Sequence, residues 1–327
     1  MSILRQVLDR FKLRVPAPTP PGIVLALGGG GAAGLAHIGV VEVLAENGIA
    51  IRAVVGTSIG AEIGAFLAAG RAPSEIADMA RKFDWIRTLR LFMPDFPAGA
   101  VSSGSQILKF LRAEIGERRI EDLAMGYLAV AADVESGEMV VIDRGDLIEA
   151  VRASISLPGL MSPQHVADRY FIDGGILNPV PFDVARERFG GPVVAVAVHP
   201  GVPPMPALPV ADDSEWPRRL RELLEQSWIP KAPQLREWLE QHENHRHQNR
   251  KAKTPWSARR ILDRAHNMML NELVELRGRL SPPDLMISPA VADIGLLEFY
   301  RAEDAIAAGR RAAEAKLPEL KALIAGR

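Results

Sequence analysis

Short apolar runs alternate with stretches of helical periodicity along most of this 327-residue chain. The apolar runs predict strands at 23–28, 52–56, 127–134, 138–143, 168–172, 192–198 and 284–287. The periodic stretches predict helices at 34–47, 59–70, 74–84, 105–115, 145–154, 182–189 and 301–315. Strands and helices that alternate with short connections are typical of an α/β fold, in which a mainly parallel sheet has helices on both faces.

The first predicted strand runs into four consecutive glycines, Gly28 to Gly31. Backbone N–H groups at the start of the helix that follows are suited to binding an anion. A dinucleotide site would need an acidic residue about 20 positions further on, and a P-loop would close with Gly-Lys-Ser or Gly-Lys-Thr. The sequence has neither at those places. An oxyanion hole and a closely packed strand–helix turn are the interpretations that remain.

A Gly-x-Ser-x-Gly pentapeptide, Gly56 to Gly60, lies between the second predicted strand and the next helix. In this position the central residue, Ser58, occupies a tight strand-to-helix turn that exposes its hydroxyl, which suits attack on a carbonyl carbon. Gly-rich strand–helix turns are common, so the pentapeptide alone leaves a purely structural turn as the alternative.

An acidic residue, Asp173, follows another predicted strand and precedes Gly174 and Gly175. Asp-Gly is an ordinary turn signal, so a hairpin corner is the structural alternative. Open α/β sheets place their sites at strand ends. The two Gly-rich turns and Asp173 all fall at such ends.

These motifs, in this order, resemble those of the patatin-like phospholipases. The resemblance rests on Gly29–Gly34, Gly56–Gly60, Ala153-Ser154-Ile155-Ser156-Leu157-Pro158-Gly159, Asp173–Gly175 and the run Asn178-Pro179-Val180-Pro181. It is greatest to bacterial members related to the patatin-like domain of neuropathy target esterase. The similarity covers residues 22 to about 200 and resumes from 284 to about 315. It implies a three-layer patatin-like fold.

The resemblance also implies a serine lipid acyl hydrolase of the phospholipase or lysophospholipase type. Ser58 would be the nucleophile and Asp173 the base, a dyad without a histidine. A carboxylate shielded from water gains basicity, which makes this pairing physically reasonable. The backbone N–H groups of Gly29, Gly30 and Gly31 would hold the oxyanion. Such a dyad needs no metal and no organic cofactor.

One position departs from the family pattern, because Ala33 stands where Arg or Lys is usual. The main-chain donors survive this change, but a cation near the oxyanion or a lipid phosphate is lost. An alternative function is therefore a catalytically weak patatin-like scaffold that acts as a binding or regulatory module at a membrane or partner.

A Ser–Asp–His triad on an α/β-hydrolase fold is the rival mechanism, since His199 follows the acid in chain order. His199 could equally cap a strand before Pro200, and His37 is expected to pack near the glycine loop. We favour the dyad because Asp173 carries the family motif and no histidine does.

Residues 85–104 combine large apolar side chains with Pro and Gly. This mixture predicts an apolar flap over an acyl-chain pocket, with an ordinary packed connection as the alternative. The side chains expected to face the lipid are Leu89, Leu91, Phe92, Met93 and Phe96.

Two further segments bear on partners. Residues 1–21 are a basic amphipathic segment with a Pro-rich linker, expected to lie on an anionic membrane or to pack on the domain or a second subunit. The hydrolase domain is predicted at 22–320, with a helical insertion at about 201–280 that holds charged helical stretches near 214–227, 232–250 and 256–278. These stretches are either solvated helices or an arm that meets a membrane or another subunit. The insertion's histidines lack the carboxylate or Cys company of a metal site: His242, His245 and His247.

Composition narrows the class of protein. A hydrophobic fraction of 48% supports a large core, and a net charge of −1 argues against a nucleic-acid-binding surface. The absence of cysteine excludes disulfides and thiolate metal sites, and it fits a reducing compartment. With no signal-peptide pattern and no apolar run of about 18 residues, we expect a cytoplasmic enzyme, or one peripheral to the inner face of the membrane.

Overall fold

The structure is a computed structural model that describes residues 22–92, 95, 100–166, 168–198 and 258–325. The chain divides into two compact units, Met1–Pro200 with Glu272–Arg327, and Gly201–Asn271. The sheet and the candidate site belong to the first unit. The predicted N-terminal segment and the first two helical stretches of the insertion lie outside the described residues.

Eight strands of the described residues form one sheet, with the order β5-β6-β3-β2-β1-β7-β8 and with β4 paired to β3. The strands are β1 Ile23–Leu27, β2 Ile51–Thr57, β3 Gly126–Asp133, β4 Met139–Ile142, β5 Gln164–Val166, β6 Arg169–Asp173, β7 Val193–Val196 and β8 Leu285–Ile287. The pairs β3–β2, β2–β1, β1–β7 and β7–β8 are parallel. The pairs of β3 with β4 and β6, and of β5 with β6, are antiparallel. The prediction of a mainly parallel sheet is confirmed.

Helices connect and cover these strands. They are α1 Ala36–Glu46, α2 Ile59–Ala68, α3 Pro73–Arg81, α4 Trp85–Leu91, α5 Ser105–Ile115, α6 Leu147–Ser154, α7 Phe182–Phe189, α8 Ala258–Leu280 and α9 Ala302–Ala325. Short 3₁₀ helices occur at Gly31–Leu35, Ile120–Asp122, Gly174–Ile176 and Phe299–Arg301. Among the described residues, no helix combines the length and the apolar character that crossing a membrane requires.

The sheet buries both of its faces, because successive side chains of a strand point to opposite sides. In β1, Ile23, Leu25 and Leu27 join the core cluster that includes α1, α2 and α9. Val24 and Ala26 join a second cluster with α7. The sheet is therefore the middle layer of a three-layer α/β fold, as the sequence predicts.

Each strand predicted from an apolar run is present, and the structure adds elements that the periodicity does not predict. The added strand, β5, has three residues and pairs only with its hairpin partner β6, so it is too short to show alternation. The added helix, α4, lies in the segment predicted as a flap. The last helix, α9, continues past its predicted end at 315 and through Pro318, because Leu317, Leu320 and Leu323 still pack on the core.

The register along β3 determines where the candidate site lies. Thr57, the last residue of β2, pairs with Val130 in a parallel ladder. Asp173, the last residue of β6, pairs with the next residue of β3, Ala131, in an antiparallel ladder. Two strands that run in opposite directions therefore end next to each other on β3, and this brings Ser58 and Asp173 together.

Candidate active site

Ser58 lies on a sharp turn between β2 and α2 and has backbone angles φ 56° and ψ −128°. A positive φ is uncommon for a residue with a Cβ atom and marks backbone strain that the surroundings must support. The turn is tight because α2 begins against β1: a Cβ on Gly60 would lie 2.2 Å from the carbonyl oxygen of Leu27. Only glycine fits there, which explains the last position of the pentapeptide. The half-buried Ser58 side chain projects from this turn.

The hydroxyl of Ser58 donates a hydrogen bond to Asp173, with 2.5 Å between Oγ and Oδ2. The other carboxylate oxygen, Oδ1, accepts the backbone N–H of Gly175 at 2.7 Å. Both oxygens are thus oriented, one toward the serine and the other toward the turn that follows β6. This is the distance and donor–acceptor geometry that a nucleophile and its base require.

Asp173 is nearly fully buried, with 3% of its surface exposed. Removal from water raises the pKa of its carboxyl to about 6, although the hydrogen bonds from Ser58 and Gly175 act in the opposite direction. A carboxylate with this pKa is a stronger base than an exposed aspartate and is still ionised at neutral pH.

The glycine-rich loop lies against the serine, since a Cβ on Gly29 would be 3.2 Å from Cβ of Ser58. One prediction for this loop needs correction. The N–H of Gly29 donates to the carbonyl of Pro179 at 2.9 Å, so it is not available to an oxyanion. Gly30 and Gly31 begin the 3₁₀ helix, where N–H groups lack partners within the helix. Within the described residues, neither of these two N–H groups has a hydrogen-bond acceptor.

The position that departs from the family pattern faces the interior. Ala33 belongs to the same 3₁₀ helix and is 5% exposed, within the core cluster. This residue therefore presents no charge and no polar group to the loop.

Of the two histidines considered as alternatives in the sequence, the structure describes His37. The buried ring of His37 lies in α1, and its Nε2 is 2.7 Å from the carbonyl oxygen of Gly28, which agrees with packing near the glycine loop. His199 lies outside the described residues. The Ser58–Asp173 hydrogen bond involves no histidine.

The predicted lipid-facing residues are not gathered at Ser58 by any described contact. Leu91 lines a groove of about 540 Å³ with residues of α3, α4 and α5. Phe92 stacks on Phe299, with 5.8 Å between the ring centroids. Leu89 lies in α4, but its side chain, Met93 and Phe96 are outside the described part of the chain.

Sequence reasoning gave no role to three residues that support the site. Ser154 accepts the backbone N–H of Ser58, and Ser156 accepts that of Asp173 through its carbonyl. Arg152 donates to the hydroxyl of Ser156. The signal for the two serines is the motif that begins at Ala153, which contributes to the family resemblance but does not reveal what its serines contact. Arg152 lies just before this motif.

Comparisons with known proteins place the chain among patatin-like proteins. The model of the patatin-like phospholipase family matches residues 25–186. Two uncharacterised NTE family proteins of Mycobacterium tuberculosis are similar to the chain. One is 43% identical over 169 residues, which are 52% of this chain and 47% of the relative. The other is 32% identical over 297 residues, which are 90% of this chain and 46% of the relative.

Proteins of other organisms are also similar. Patatin-like phospholipase domain-containing protein 6 of Mus musculus is 34% identical over 183 residues, which are 54% of this chain and 13% of that protein. The crystal structure of VipD from Legionella pneumophila matches with a TM-score of 0.42 and 15% identity, over 91% of this chain and 67% of that one. The chain spans about half the length of the mycobacterial relatives.

Proposed function

Since this chain carries a domain of the patatin-like phospholipase family, a family of lipid hydrolases, we propose that it is a serine lipid acyl hydrolase with a Ser58–Asp173 dyad. The observation that supports this most directly is the 2.5 Å hydrogen bond from the Ser58 hydroxyl to the buried Asp173 carboxylate. The proposed substrate class is the carboxylic esters of phospholipids and lysophospholipids. A cytoplasmic location with peripheral membrane contact stays a prediction from the sequence.

In the proposed reaction, Asp173 takes the proton of Ser58 as Oγ attacks the ester carbonyl carbon. The tetrahedral intermediate collapses when the carbon–oxygen bond to the alcohol breaks, and the proton on Asp173 passes to the leaving alcohol. A water molecule then attacks the acyl–Ser58 ester while Asp173 takes the water proton. Collapse of the second tetrahedral intermediate breaks the bond between the acyl carbon and Oγ, and the proton on Asp173 passes to Oγ. Release of the fatty acid leaves Ser58 and Asp173 in their starting protonation states.

The oxyanion of each tetrahedral intermediate is proposed to accept hydrogen bonds from the N–H groups of Gly30 and Gly31. They begin a 3₁₀ helix directly after Gly29, which lies against Ser58, and their N–H groups have no acceptor among the described residues, which supports this role. Donors of this kind typically contribute about 100- to 1000-fold in rate. With Ala33 buried, stabilisation would come from the backbone alone and without the family's usual cation.

The test is fatty-acid release from mixed phospholipid and lysophospholipid vesicles. We expect Ser58→Ala to lower the rate by at least about 10⁴-fold, because the nucleophile of a concerted site is lost. Ser136→Ala is the matched control, since Ser136 lies on the exposed β3–β4 turn and its hydroxyl contacts only that turn. This variant should release fatty acid at the wild-type rate.

Two outcomes would contradict the proposal. Equal release by the wild type and Ser58→Ala would show that another group does the chemistry. If the wild type hydrolyses neither the lipids of the vesicles nor short soluble esters, the alternative of a catalytically weak scaffold would be favoured.

A further inference from the structure

A buried hydroxyl, that of Ser154, is bonded to the backbone of the candidate nucleophile. Ser154 is the last residue of α6 and is 0% exposed. The N–H of Ser58 donates to Oγ of Ser154 at 2.9 Å, and that hydroxyl donates to the carbonyl of Val130 at 2.6 Å. The hydroxyl therefore uses its donor and one acceptor site to join the Ser58 peptide to β3.

Val130, whose carbonyl accepts the Ser154 hydroxyl, also helps to determine where Asp173 lies. Val130 pairs with Thr57 in the ladder with β2, and the following residue of β3 pairs with Asp173. A Cβ on Gly174, directly after Asp173, would lie 2.3 Å from the same Val130 carbonyl oxygen. The peptide of Ser58 is thus tied to the point of the sheet against which the Asp173 turn packs.

The same segment holds the base through a second bond. The carbonyl of Ser156 accepts the N–H of Asp173 at 2.9 Å. Arg152, 1% exposed, donates to the Ser156 hydroxyl and to the carbonyls of Ser103, at 2.7 Å, and Ser162, at 3.0 Å. The short segment 152–156 thus contacts both members of the pair and is itself anchored by a buried guanidinium.

Ser58 needs such support because of its backbone conformation. Its φ of 56° is unfavourable for a residue with a side chain and persists only where neighbours fix it. The Ser58 N–H points into the protein, where a donor without an acceptor is costly. The Ser154 hydroxyl accepts this N–H, and rotation of this peptide would move Oγ relative to Asp173.

We propose that Ser154 is a positioning residue, whose hydroxyl holds the Ser58 peptide so that Oγ stays within hydrogen-bond reach of Asp173. This inference rests on the proposed function of Ser58 as the nucleophile. Ser154 itself does not touch the substrate. It acts by fixing the turn, and Arg152 fixes the segment that carries it.

The test measures the reactivity of the Ser58 hydroxyl directly. A fluorophosphonate probe reacts with an activated serine: the Oγ–phosphorus bond forms, the phosphorus–fluorine bond breaks, and the serine proton passes to the base. We expect Ser154→Ala to lower the second-order labelling rate of Ser58 by about 10- to 100-fold, since small misplacements of reacting groups have effects of this size. For ester hydrolysis, kcat should fall while KM stays within about twofold, because substrate contacts are kept.

Three further variants separate positioning from a general loss of stability. Tyr127→Phe is the matched control, because the buried Tyr127 hydroxyl donates to the carbonyl of Ala61 in α2 and touches neither Ser58 nor Asp173. It should lower the melting temperature and leave labelling unchanged. Ser154→Thr retains the hydroxyl and should recover most of the rate. Ser154→Cys conserves shape with a weak acceptor, so it tests the hydroxyl even where the alanine variant does not fold.

The inference is overturned where folded Ser154→Ala or Ser154→Cys labels Ser58 as fast as Tyr127→Phe does. Absence of labelling at Ser58 in the wild type would instead overturn the proposed function, and this inference with it.

Discussion

The strand ends that carry Ser58 and Asp173 differ sharply from the segment around α4. At the strand ends, backbone groups and short side chains hold the pair in place: the N–H of Gly175 orients the carboxylate and the hydroxyl of Ser154 holds the serine peptide. Around α4, longer side chains decide the arrangement. Phe92 stacks on Phe299, and Leu91 lies in a groove with the cationic Arg87 and Arg90 in its walls.

This difference shows why the chemistry can be read from the sequence more easily than the substrate. A nucleophile at a strand end needs glycines at fixed spacing, and those glycines are visible in the sequence. A lipid-facing surface needs only apolar side chains, which are equally suited to packing against the protein's own helices. The predictions below therefore separate the two regions, beginning with the largest expected effect.

Replacing the base should remove activity. We expect Asp173→Asn to lower the rate of ester hydrolysis by about 10⁴-fold, because the amide keeps the shape but cannot take the Ser58 proton. The measurement is kcat on a soluble ester and on phospholipid vesicles. His199→Ala is the comparison variant and should retain most of the wild-type rate. The reverse pattern, with loss in His199→Ala and retention in Asp173→Asn, would make His199 the base and would contradict the dyad.

The sequence predicts the strands, most helices and the residues of the pair because these depend on local patterns. It does not predict how the pair is brought together. That depends on β3, where Val130 and Ala131 pair with two strands of opposite direction. Nor does it reveal that the Gly29 N–H donates to Pro179, since this bond joins loops distant in the sequence. Long-range pairing of this kind leaves no local pattern.

The strand-end region should also control the pH dependence. Asp173 acts as a base only when ionised, and burial raises its pKa to about 6. We therefore expect kcat/KM to be level above about pH 7 and to fall about tenfold for each pH unit below 6. The profile is measured between pH 4.5 and 8.5. The substrate is a neutral soluble ester, because it has no group that titrates in this range.

Titration of a second carboxyl, that of Glu62, would also make kcat/KM fall at low pH and give the profile a similar acidic limb. Glu62 lies in the first turn of α2, and desolvation raises its pKa to about 7. Glu62→Gln should leave the limb near pH 6 in place, because Glu62 is not bonded to Ser58 or Asp173 through its carboxylate. A limb that disappears in Glu62→Gln would assign the titration to Glu62 and remove the pH argument for Asp173.

The smallest effect concerns the predicted flap around α4, where two variants of one aromatic stack can be compared. Phe92→Ala and Phe299→Ala each remove one ring of the same stack, so both should lower stability to a similar degree. If Phe92 also faces the acyl chain, only Phe92→Ala should shift the preference toward shorter chains, by about fourfold for each methylene that loses its contact. The measurement is the ratio of kcat/KM for short-chain and long-chain esters. Equal short-chain to long-chain ratios in the two variants would mean that Phe92 only packs α4 against the 3₁₀ helix Phe299–Arg301. The acyl chain would then be recognised elsewhere.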